Sequence, residues 1–345
     1  MRTLAPALAG SDTQAYTSLF LWQVRSRIGY HLNPRRKIAC LPQLLMRSPR
    51  RISREFVCAV FIVLLATAAL AKTTGYVVVV PVANMYSGPS DKTDVVSQAI
   101  YGSNVALVVA RGEWSRIQTS DHYKGWVPSR HVRILLTGTG YATAGPTVQV
   151  ESLFANIYAE PDFAKHKPLL TLPFETRLEA VPDAKLKDGK PVPDGWLQVH
   201  LPDLRSAWVQ VGDVISDPKL LSIPETIALA KRFLGIPYLW GGRSSFGFDC
   251  SGFTQMLLRA RGINLPRDAD QQAAWTGVTA IERKHLQAGD LLFFGSSPKE
   301  ITHTGMYIGD GQFIHDSTND HPVVQISRVD AEPWTKLLVA CRRAK

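Results

Sequence analysis

Short runs of apolar and alternating residues, separated by turn residues, fill the first half of the chain. They are clearest at 105–109, 114–117 and 196–199. Short strands with frequent turns between them are typical of small β-barrels. The pattern therefore predicts all-β structure for this half.

The same half contains an internal repeat. ANMY at 83–86 recurs as ANIY at 155–158, and the tryptophans at 114 and 126 recur at 196 and 208. The tetrapeptides are 72 residues apart and the tryptophan pairs 82, so the second copy carries about ten extra residues. Segment 181–194, rich in Pro, Asp, Lys and Gly, is the expected place for them. We expect most of these tryptophans to pack in the cores.

The pattern changes after a linker at 216–219. Pro224 and Glu225 mark the start of a helix that runs to about residue 234. A second helix-like segment begins at residue 250, and residues 291–294 predict a buried strand. Segments 304–308 and 312–315 predict a hairpin. Helices first and strands later indicate an α+β layout.

A basic and then apolar leader precedes this body. Residues 1–71 carry +8 of the formal charge of +10, which leaves +2 for the rest and gives no support for nucleic-acid binding. From Met46, a basic segment, an apolar run at 56–71 and the ending ALA predict a cleaved export signal. A membrane anchor is the alternative, but the run has 16 residues and a span needs about 20. Residues 1–45 fit neither a signal nor a domain, so we expect translation to begin at Met46.

Two cysteines remain after the predicted cleavage, Cys250 and Cys341. Two cysteines do not make a disulfide framework, and we expect both to be free. Cys341 lies in an apolar run and is expected to fill the core of a last strand.

Cys250 stands where a glycine-rich turn enters the second helix-like segment. Unpaired N–H groups and partial positive charge at a helix N-terminus favour a thiolate, so we expect the pKa of this thiol to be lowered. The backbone N–H of Cys250 is a candidate donor to an oxyanion. The sequence thus predicts a cysteine nucleophile.

Two histidines on the predicted hairpin, His303 and His315, are its candidate partners. A two-residue loop, Asp310-Gly311, would place them on opposite faces. A three-residue loop, 309–311, places them on one face as diagonal neighbours, and we expect that register. His303 would then be the general base, and His315 would fix its tautomer. Alternatively, all three side chains could bind zinc, or each could be inert packing.

Several motifs together resemble a known family. DCSGF at the helix start, HTGMYIG and FIH on the hairpin, YLWGG at 238–242 and GDLLFF at 289–294 resemble the NlpC family of papain-like cysteine peptidases, from about 224 to 345. Residues 76–136 and 145–216 resemble bacterial SH3-like domains. The resemblance implies two SH3-like barrels at 72–140 and 141–216, then an α+β papain-like peptidase domain at 217–345.

The family cuts peptidoglycan stem peptides, and the tandem domains resemble its γ-D-glutamyl-L-diamino acid endopeptidases. That resemblance implies hydrolysis between γ-D-glutamate and diaminopimelate or lysine, in peptides with a free N-terminal L-alanine. Asp268 matches the aspartate that binds the free ammonium, although Asp268 could instead cap a helix. Tyr238 and Tyr123 match tyrosines beside the nucleophile. Ser251, Arg267 and Trp240 are further candidates for substrate binding.

Segment 97–101 of the first SH3-like domain lacks the acidic residue that this subgroup contributes there. Two other functions stay open at this stage. The protein could cut intact, crosslinked wall and use its SH3-like domains for binding, or it could be a wall-binding module without activity. The resemblance implies no cofactor and no metal. We expect an exported monomer in the periplasm or cell envelope, acting in murein peptide recycling without a stable membrane anchor.

Overall fold

The computed structural model describes residues 75–135 and 139–345. The predicted export signal at 46–71 and the expected start at Met46 lie outside the described residues. No helix within the two described ranges is long and apolar enough to cross a membrane.

Two seven-stranded antiparallel sheets follow one another along the chain. The strand order is β3-β2-β6-β5-β4-β1-β7 in the first and β10-β9-β13-β12-β11-β8-β14 in the second, so the second repeats the first. The strands of the first sheet are β1 Gly75–Val78, β2 Val82–Tyr86, β3 Val95–Ile100, β4 Asn104–Arg111, β5 Trp114–Gln118, β6 Lys124–Pro128 and β7 Val132–Ile134. Those of the second are β8 Thr147–Val150, β9 Phe154–Tyr158, β10 Leu170–Pro173, β11 Arg177–Val181, β12 Trp196–His200, β13 Ser206–Gln210 and β14 Val214–Ile215.

The sequence repeat falls on equivalent strands of the two sheets. Trp126 and Trp208 are buried, in β6 and β13. Trp114 meets Tyr86 edge-on at 5.6 Å, and Trp196 meets Tyr158 in the same way at 5.3 Å. The extra residues of the second copy lie between β11 and β12, as predicted.

The remaining chain builds a six-stranded antiparallel sheet with helices packed on it. The helices are α1 Ile223–Arg232, α2 Cys250–Ala260, α3 Ala269–Ala274 and α4 Trp334–Leu337. The sheet has the order β17-β22-β18-β19-β20-β21. Its strands are β17 Val278–Ala280, β18 Leu291–Ser297, β19 Glu300–Gly309, β20 Gln312–Ser317, β21 Val323–Arg328 and β22 Leu338–Ala344, and a small ladder pairs β15 Arg243–Ser244 with β16 Gly247–Phe248.

Local sequence explains where the first helix begins. Ser222 caps α1 and forms a capping box with Glu225, and Pro224 lies in the first turn, where its missing N–H costs nothing. The predicted buried strand is confirmed, since residues 291–294 of β18 are fully buried. Cys341 is buried in β22 and both described cysteines are free, as expected.

The peptidase-like part is joined to both preceding sheets by specific contacts. Phe174, from the second sheet, packs edge-on against Phe233 in the core of the third part. Arg259 of α2 forms an ion pair with Glu175 at 2.6 Å. The backbone N–H of Arg243 donates to the side chain of Gln98 in β3, at 3.0 Å. The three parts therefore share packed and polar interfaces.

Helix α2 lies so close to the turn before it that only glycine fits at position 252. A Cβ there would lie 2.1 Å from the carbonyl oxygen of Gly242. That oxygen is held by hydrogen bonds from Asp249 N and Arg267, so it has little freedom to move away. We expect Gly252→Ala to destabilise the protein by at least about 1–3 kcal/mol, even though alanine is the better helix former.

The measurement is urea unfolding, with Gly212→Ala as the control. A Cβ at Gly212 would meet no atom within 4 Å. Equal stability of the two variants would show that the close approach at Gly252 is not a constraint.

Candidate active site

Helix α2 begins at Cys250, and the residue before it supplies the cap. The Asp249 carboxylate accepts a hydrogen bond from Gly252 N at 2.7 Å, which satisfies one of the free N–H groups of the first turn. Cys250 itself is 7% exposed. The sulfur therefore lies at the start of the helix, as the sequence predicted, but largely beneath the surface.

A buried ion pair fixes this cap. Both terminal nitrogens of Arg267 donate to the Asp249 carboxylate, at 2.9 and 2.5 Å. The same guanidinium donates to Ser251 Oγ at 2.8 Å and, through Nε, to Ser97 Oγ of the first sheet at 3.1 Å. Arg267 is 2% exposed. Asp249, Ser251 and Ser97 thus share one cation.

This network bears on two candidates for substrate binding, and it leaves both assignments as predictions. Ser251 and Arg267 were expected to bind substrate, but both are buried and engaged with protein partners. Their geometry suits holding the first turn of α2 in place. Trp240, in contrast, is 69% exposed and is free to meet a ligand at the surface.

The two histidines lie on one face of the hairpin and contact each other. His303 Nε2 and His315 Nδ1 are 2.8 Å apart, a hydrogen bond. Met306 pairs with Ile314 and Tyr307 with Phe313, which is the register expected for the part of the hairpin that carries the histidines.

The expected loop, however, is wrong. Gly309 pairs with Gln312, so the loop has two residues, Asp310 and Gly311, both with positive φ. This is the backbone shape that a tight two-residue hairpin turn requires. A bulge between Tyr307 and Gly309 absorbs the extra residue and restores the register.

The histidine pair is covered and anchored on its far side. Trp334 packs against both imidazoles. Its ring centroid lies 5.1 Å from that of His303 and 4.8 Å from that of His315. Ser327 Oγ lies 3.0 Å from His315 Nε2. His315 is fully buried. The two imidazoles are therefore held in a dry environment with both nitrogens of His315 engaged.

The sulfur lies against the strand that carries His303. The backbone N–H groups of Thr304, which follows His303, and of Ser251 lie near the Cys250 sulfur and favour its charged form. Burial nevertheless raises the pKa of this thiol to about 12, with a further rise from the Asp249 carboxylate. The expected lowering of the thiol pKa is therefore wrong, because removal from water outweighs the N–H groups and the Arg267 cation.

Burial also disfavours the charged form of the two imidazoles, so it lowers their pKa values. It lowers the pKa of His303 to about 3. It also lowers the pKa of His315 well below its ordinary value, helped by the proximity of His303. Burial thus keeps the thiol and both imidazoles in their neutral forms.

Of three other candidates, one interacts with Cys250 and two contact each other. Burial and the neighbouring Cys250 raise the pKa of the Tyr238 phenol. Tyr123, from the first sheet, donates its hydroxyl hydrogen to Asp268 Oδ1 at 3.3 Å. Asp268 precedes α3, but its side chain does not cap that helix and instead contacts Tyr123 and Gln271. The structure therefore brings Tyr123 and Asp268 together across the domain interface.

The Asp268 carboxyl is in an environment that suits a cation. Burial raises its pKa, and the Arg267 cation opposes the rise without bonding to it. The pKa of Tyr123 is raised to about 12 by burial and by Asp268. An ammonium group brought beside Asp268 would relieve the cost of burying its negative charge.

Metal binding has no visible support in the described ranges. Within residues 75–135 and 139–345, no group of three or more His, Cys, Asp or Glu side chains is arranged to hold a metal ion. His303 Nε2 and His315 Nδ1 face each other, so neither is directed at an ion shared with Cys250.

Sequence reasoning missed several residues that support this site. Asp249 could have been found, because aspartate directly before a helix is a common cap. Ser97 and Ser327 carry no such signal, since their contacts depend on how distant strands pack. Asp316, next to His315, is fully buried, and neither carboxyl oxygen has a hydrogen-bond partner of normal geometry.

Asp316 is the most perturbed carboxyl around the site. Burial raises its pKa to about 8, with a contribution from the Asp249 carboxylate, while the nearby backbone N–H groups of Ser317 and Phe248 oppose the rise. It holds its proton near neutral pH because an ionised carboxylate there would lack a cation.

Comparison with known proteins gives two domain matches. Residues 235–343 match the NlpC/P60 family, and residues 85–132 match the bacterial dipeptidyl-peptidase SH3 domain. A crystal structure of an NlpC/P60 family protein from Bacillus cereus is similar in fold, with a TM-score of 0.66 and 26% identity. That similarity covers 79% of this chain and 99% of the other.

Two curated relatives are similar in sequence. A γ-D-glutamyl-L-lysine dipeptidyl-peptidase of Bacillus cereus is 34% identical over 236 residues, which cover 64% of this chain and 66% of the relative. The protein of the same name from Bacillus subtilis is 45% identical over 114 residues, which cover 32% of this chain and 37% of the relative. The chain thus spans just under two thirds of the first relative and little more than a third of the second.

The buried carboxyl of Asp316 should leave a signature in stability against pH. Its folded pKa of about 8 lies above the ordinary aspartate value of 3.8, so the folded state binds the extra proton. The free energy of unfolding should then fall as pH rises from about 4 to about 8 and level off above that. Asp316→Asn, which stays neutral, should remove that part of the fall, on the order of a few kcal/mol.

Melting temperatures at pH 5 and pH 8 test this expectation. The gain from Asp316→Asn should be larger at pH 8, whereas Asp310→Asn, in the exposed hairpin turn, should give the same small change at both. A gain from Asp316→Asn that did not depend on pH would contradict the assignment.

Proposed function

We propose that this chain, which carries an NlpC/P60 domain behind a bacterial SH3 domain, is a cysteine endopeptidase of peptidoglycan stem peptides. The two repeated sheets are assigned as two SH3-like barrels, and the part from 217 onward as an α+β papain-like domain. The observation that supports this best is the pair of bonded imidazoles beside a sulfur at the start of a helix. Cys250, His303 and His315 are assigned as nucleophile, base and orienting residue.

The chemistry follows from the neutral resting site. The Cys250 sulfur attacks the peptide carbonyl carbon while its proton passes to His303, and a C–S bond forms as the carbonyl oxygen takes up negative charge. The backbone N–H of Cys250 is the proposed donor to that oxygen. His303 then gives its proton to the leaving nitrogen as the C–N bond breaks. Water, deprotonated by His303, hydrolyses the thioester and restores the thiol.

Nearby side chains define the proposed substrate. Asp268 supplies negative charge for a free N-terminal ammonium, and Tyr123 closes the pocket beyond it. Tyr238, beside the sulfur, and Trp240, at the surface, are the remaining substrate contacts. The relatives' names specify a γ-D-glutamyl-L-lysine bond, so we propose cleavage between γ-D-glutamate and lysine or diaminopimelate, after a free L-alanine.

We propose that the protein acts outside the cytoplasmic membrane. Murein peptides with a free L-alanine arise once the glycan has been removed, so we propose a role in trimming released peptides. The predicted export signal at 46–71 would deliver the protein to the periplasm or envelope.

Thiol chemistry can be separated from zinc chemistry. Cys250→Ala should abolish hydrolysis of L-Ala-γ-D-Glu-L-Lys, and iodoacetamide should do the same to the wild type, because both remove the nucleophile. A chelator should leave the rate unchanged. Cys341→Ala is the control, since that thiol is buried in β22. Inactivation by chelator together with resistance to iodoacetamide would reject the thiol mechanism.

Recognition of the free amine can be tested with the N-acetylated peptide. Acetylation removes the cation, so the wild type should cleave the acetylated peptide at least about tenfold more slowly. Asp268→Asn should raise KM for the free peptide by roughly 10–100-fold, the worth of a hydrogen bond to a charged group.

Asp270→Asn is the matched control, because Asp270 is exposed in the first turn of the same helix. Equal cleavage of the free and acetylated peptides would contradict the proposed substrate and favour action on intact wall.

A further inference from the structure

The hydrogen-bonded chain that begins at His303 does not end at His315. His315 Nε2 lies 3.0 Å from the hydroxyl of Ser327, on the neighbouring strand β21. Ser327 pairs with Phe313, so it is the diagonal neighbour of His315 across the ladder. The strand thus places a hydroxyl at the outer nitrogen of the orienting histidine.

The register partner of His315 offers no alternative. Gln325 stands directly opposite His315, but its amide donates to the backbone carbonyls of Asn319 and His321, at 2.8 and 2.7 Å. Its side chain is therefore engaged along its own loop, and Ser327 makes the side-chain contact to His315 Nε2.

Proton positions along the chain follow from what the base must do. His303 Nε2 is bonded to His315, so the proton from the thiol has to go to Nδ1. A neutral imidazole that accepts at Nδ1 carries its hydrogen on Nε2. That hydrogen points at His315 Nδ1, which must then be bare. His315 consequently carries its own hydrogen on Nε2, directed at Ser327.

The opposite arrangement would disable the base. With a hydrogen on His315 Nδ1, His303 would have to accept at Nε2 and would carry its hydrogen on Nδ1, the nitrogen needed for the thiol proton. Protonating His303 in that state would set two N–H groups against each other at 2.8 Å.

We propose that Ser327 is a positioning residue for the reaction. By accepting the Nε2 hydrogen of His315, its hydroxyl fixes the tautomer of both histidines and stabilises the imidazolium that forms on His303. This inference rests on the proposed roles of Cys250 and His303. Only one proton moves, from sulfur to His303 Nδ1, and the two outer hydrogens stay on their nitrogens.

The Ser327 hydroxyl is an important acceptor because the imidazole of His315 beside it is buried. His315 is fully buried, and Trp334 covers both imidazoles, so a lost partner on Nε2 is not readily replaced by bulk water. An unpaired N–H in such a site is costly, so removing the hydroxyl favours the other, unproductive tautomer.

Alkylation of Cys250 by iodoacetamide at a series of pH values tests the inference without any substrate. The extent of reaction at Cys250 is read by mass spectrometry of its peptide. Ser327→Val, which lacks the hydroxyl, should react roughly tenfold more slowly at pH 7 than Ser327→Thr, the effect of losing one net hydrogen bond. Its pH profile should also move to higher pH. Threonine and valine have the same shape, so the comparison isolates the hydroxyl.

Ser206→Ala provides the matched control. Ser206 Oγ lies 3.2 Å from His200 Nδ1 in the second sheet, a serine–histidine contact of the same kind away from the site. Its alkylation profile should equal that of the wild type. Ser327→Ala should follow Ser327→Val and lower kcat for the peptide more than it changes KM.

Each outcome is decisive. Identical profiles for Ser327→Val and Ser327→Thr would overturn the inference and leave the proposed function standing. Failure of Cys250 to react at any pH in the wild type would overturn both. A slow valine variant, a threonine variant like the wild type and an unchanged Ser206→Ala would support the positioning role.

Discussion

The buried ion pair between Arg267 and Asp249 is the interaction on which the candidate site depends. The carboxylate caps the helix that carries Cys250, and the guanidinium ties that cap to the following residue and to the first sheet. Removing one partner of such a pair leaves an uncompensated charge and typically costs about 3–5 kcal/mol. This one ion pair therefore fixes the start of helix α2 and the turn before it. It also anchors the first sheet through the contact of Arg267 with Ser97.

Burial is the main reason why the sulfur is not ionised at rest, and the same ion pair adds to its effect. Arg267 stands near Cys250, but its charge is balanced by Asp249, which raises the thiol pKa. The helix terminus alone cannot offset the loss of water around a sulfur that is almost enclosed. Under the proposed function, a site built in this way requires a base, and the bonded imidazoles would provide one that burial keeps neutral until the thiol proton arrives.

Local chemistry was readable from the sequence, and long-range packing was not. Short patterns correctly predicted that Cys250 starts a helix, that strand 291–294 is buried, and that the hairpin register places both histidines on one face. The tight two-residue turn was missed because a bulge one residue earlier gives the same register as a longer loop. The direction of the thiol pKa was missed because burial depends on the whole site, whereas a helix terminus is visible in a few residues.

Contacts between distant segments show which residues the first sheet contributes to the candidate site. Ser97 and Gln98 of β3 and Tyr123 of the loop before β6 all bond to the peptidase-like part, to Arg267, Arg243 and Asp268 respectively. Ser97 and Gln98 are buried by these contacts, so they are not available to bind the cell wall. Under the proposed function, this barrel therefore acts as a wall of the substrate pocket.

Such a wall also bears on specificity. In the proposed complex, the substrate's N-terminus lies where Tyr123 meets Asp268, so a longer chain on that side would have to displace the barrel. Displacement would break the Ser97 contact and leave Arg267 with one partner fewer next to the nucleophile helix. Under the proposed function, the interface between the first sheet and the third part therefore has two roles. It recognises the end of a short peptide, and it stabilises the start of helix α2.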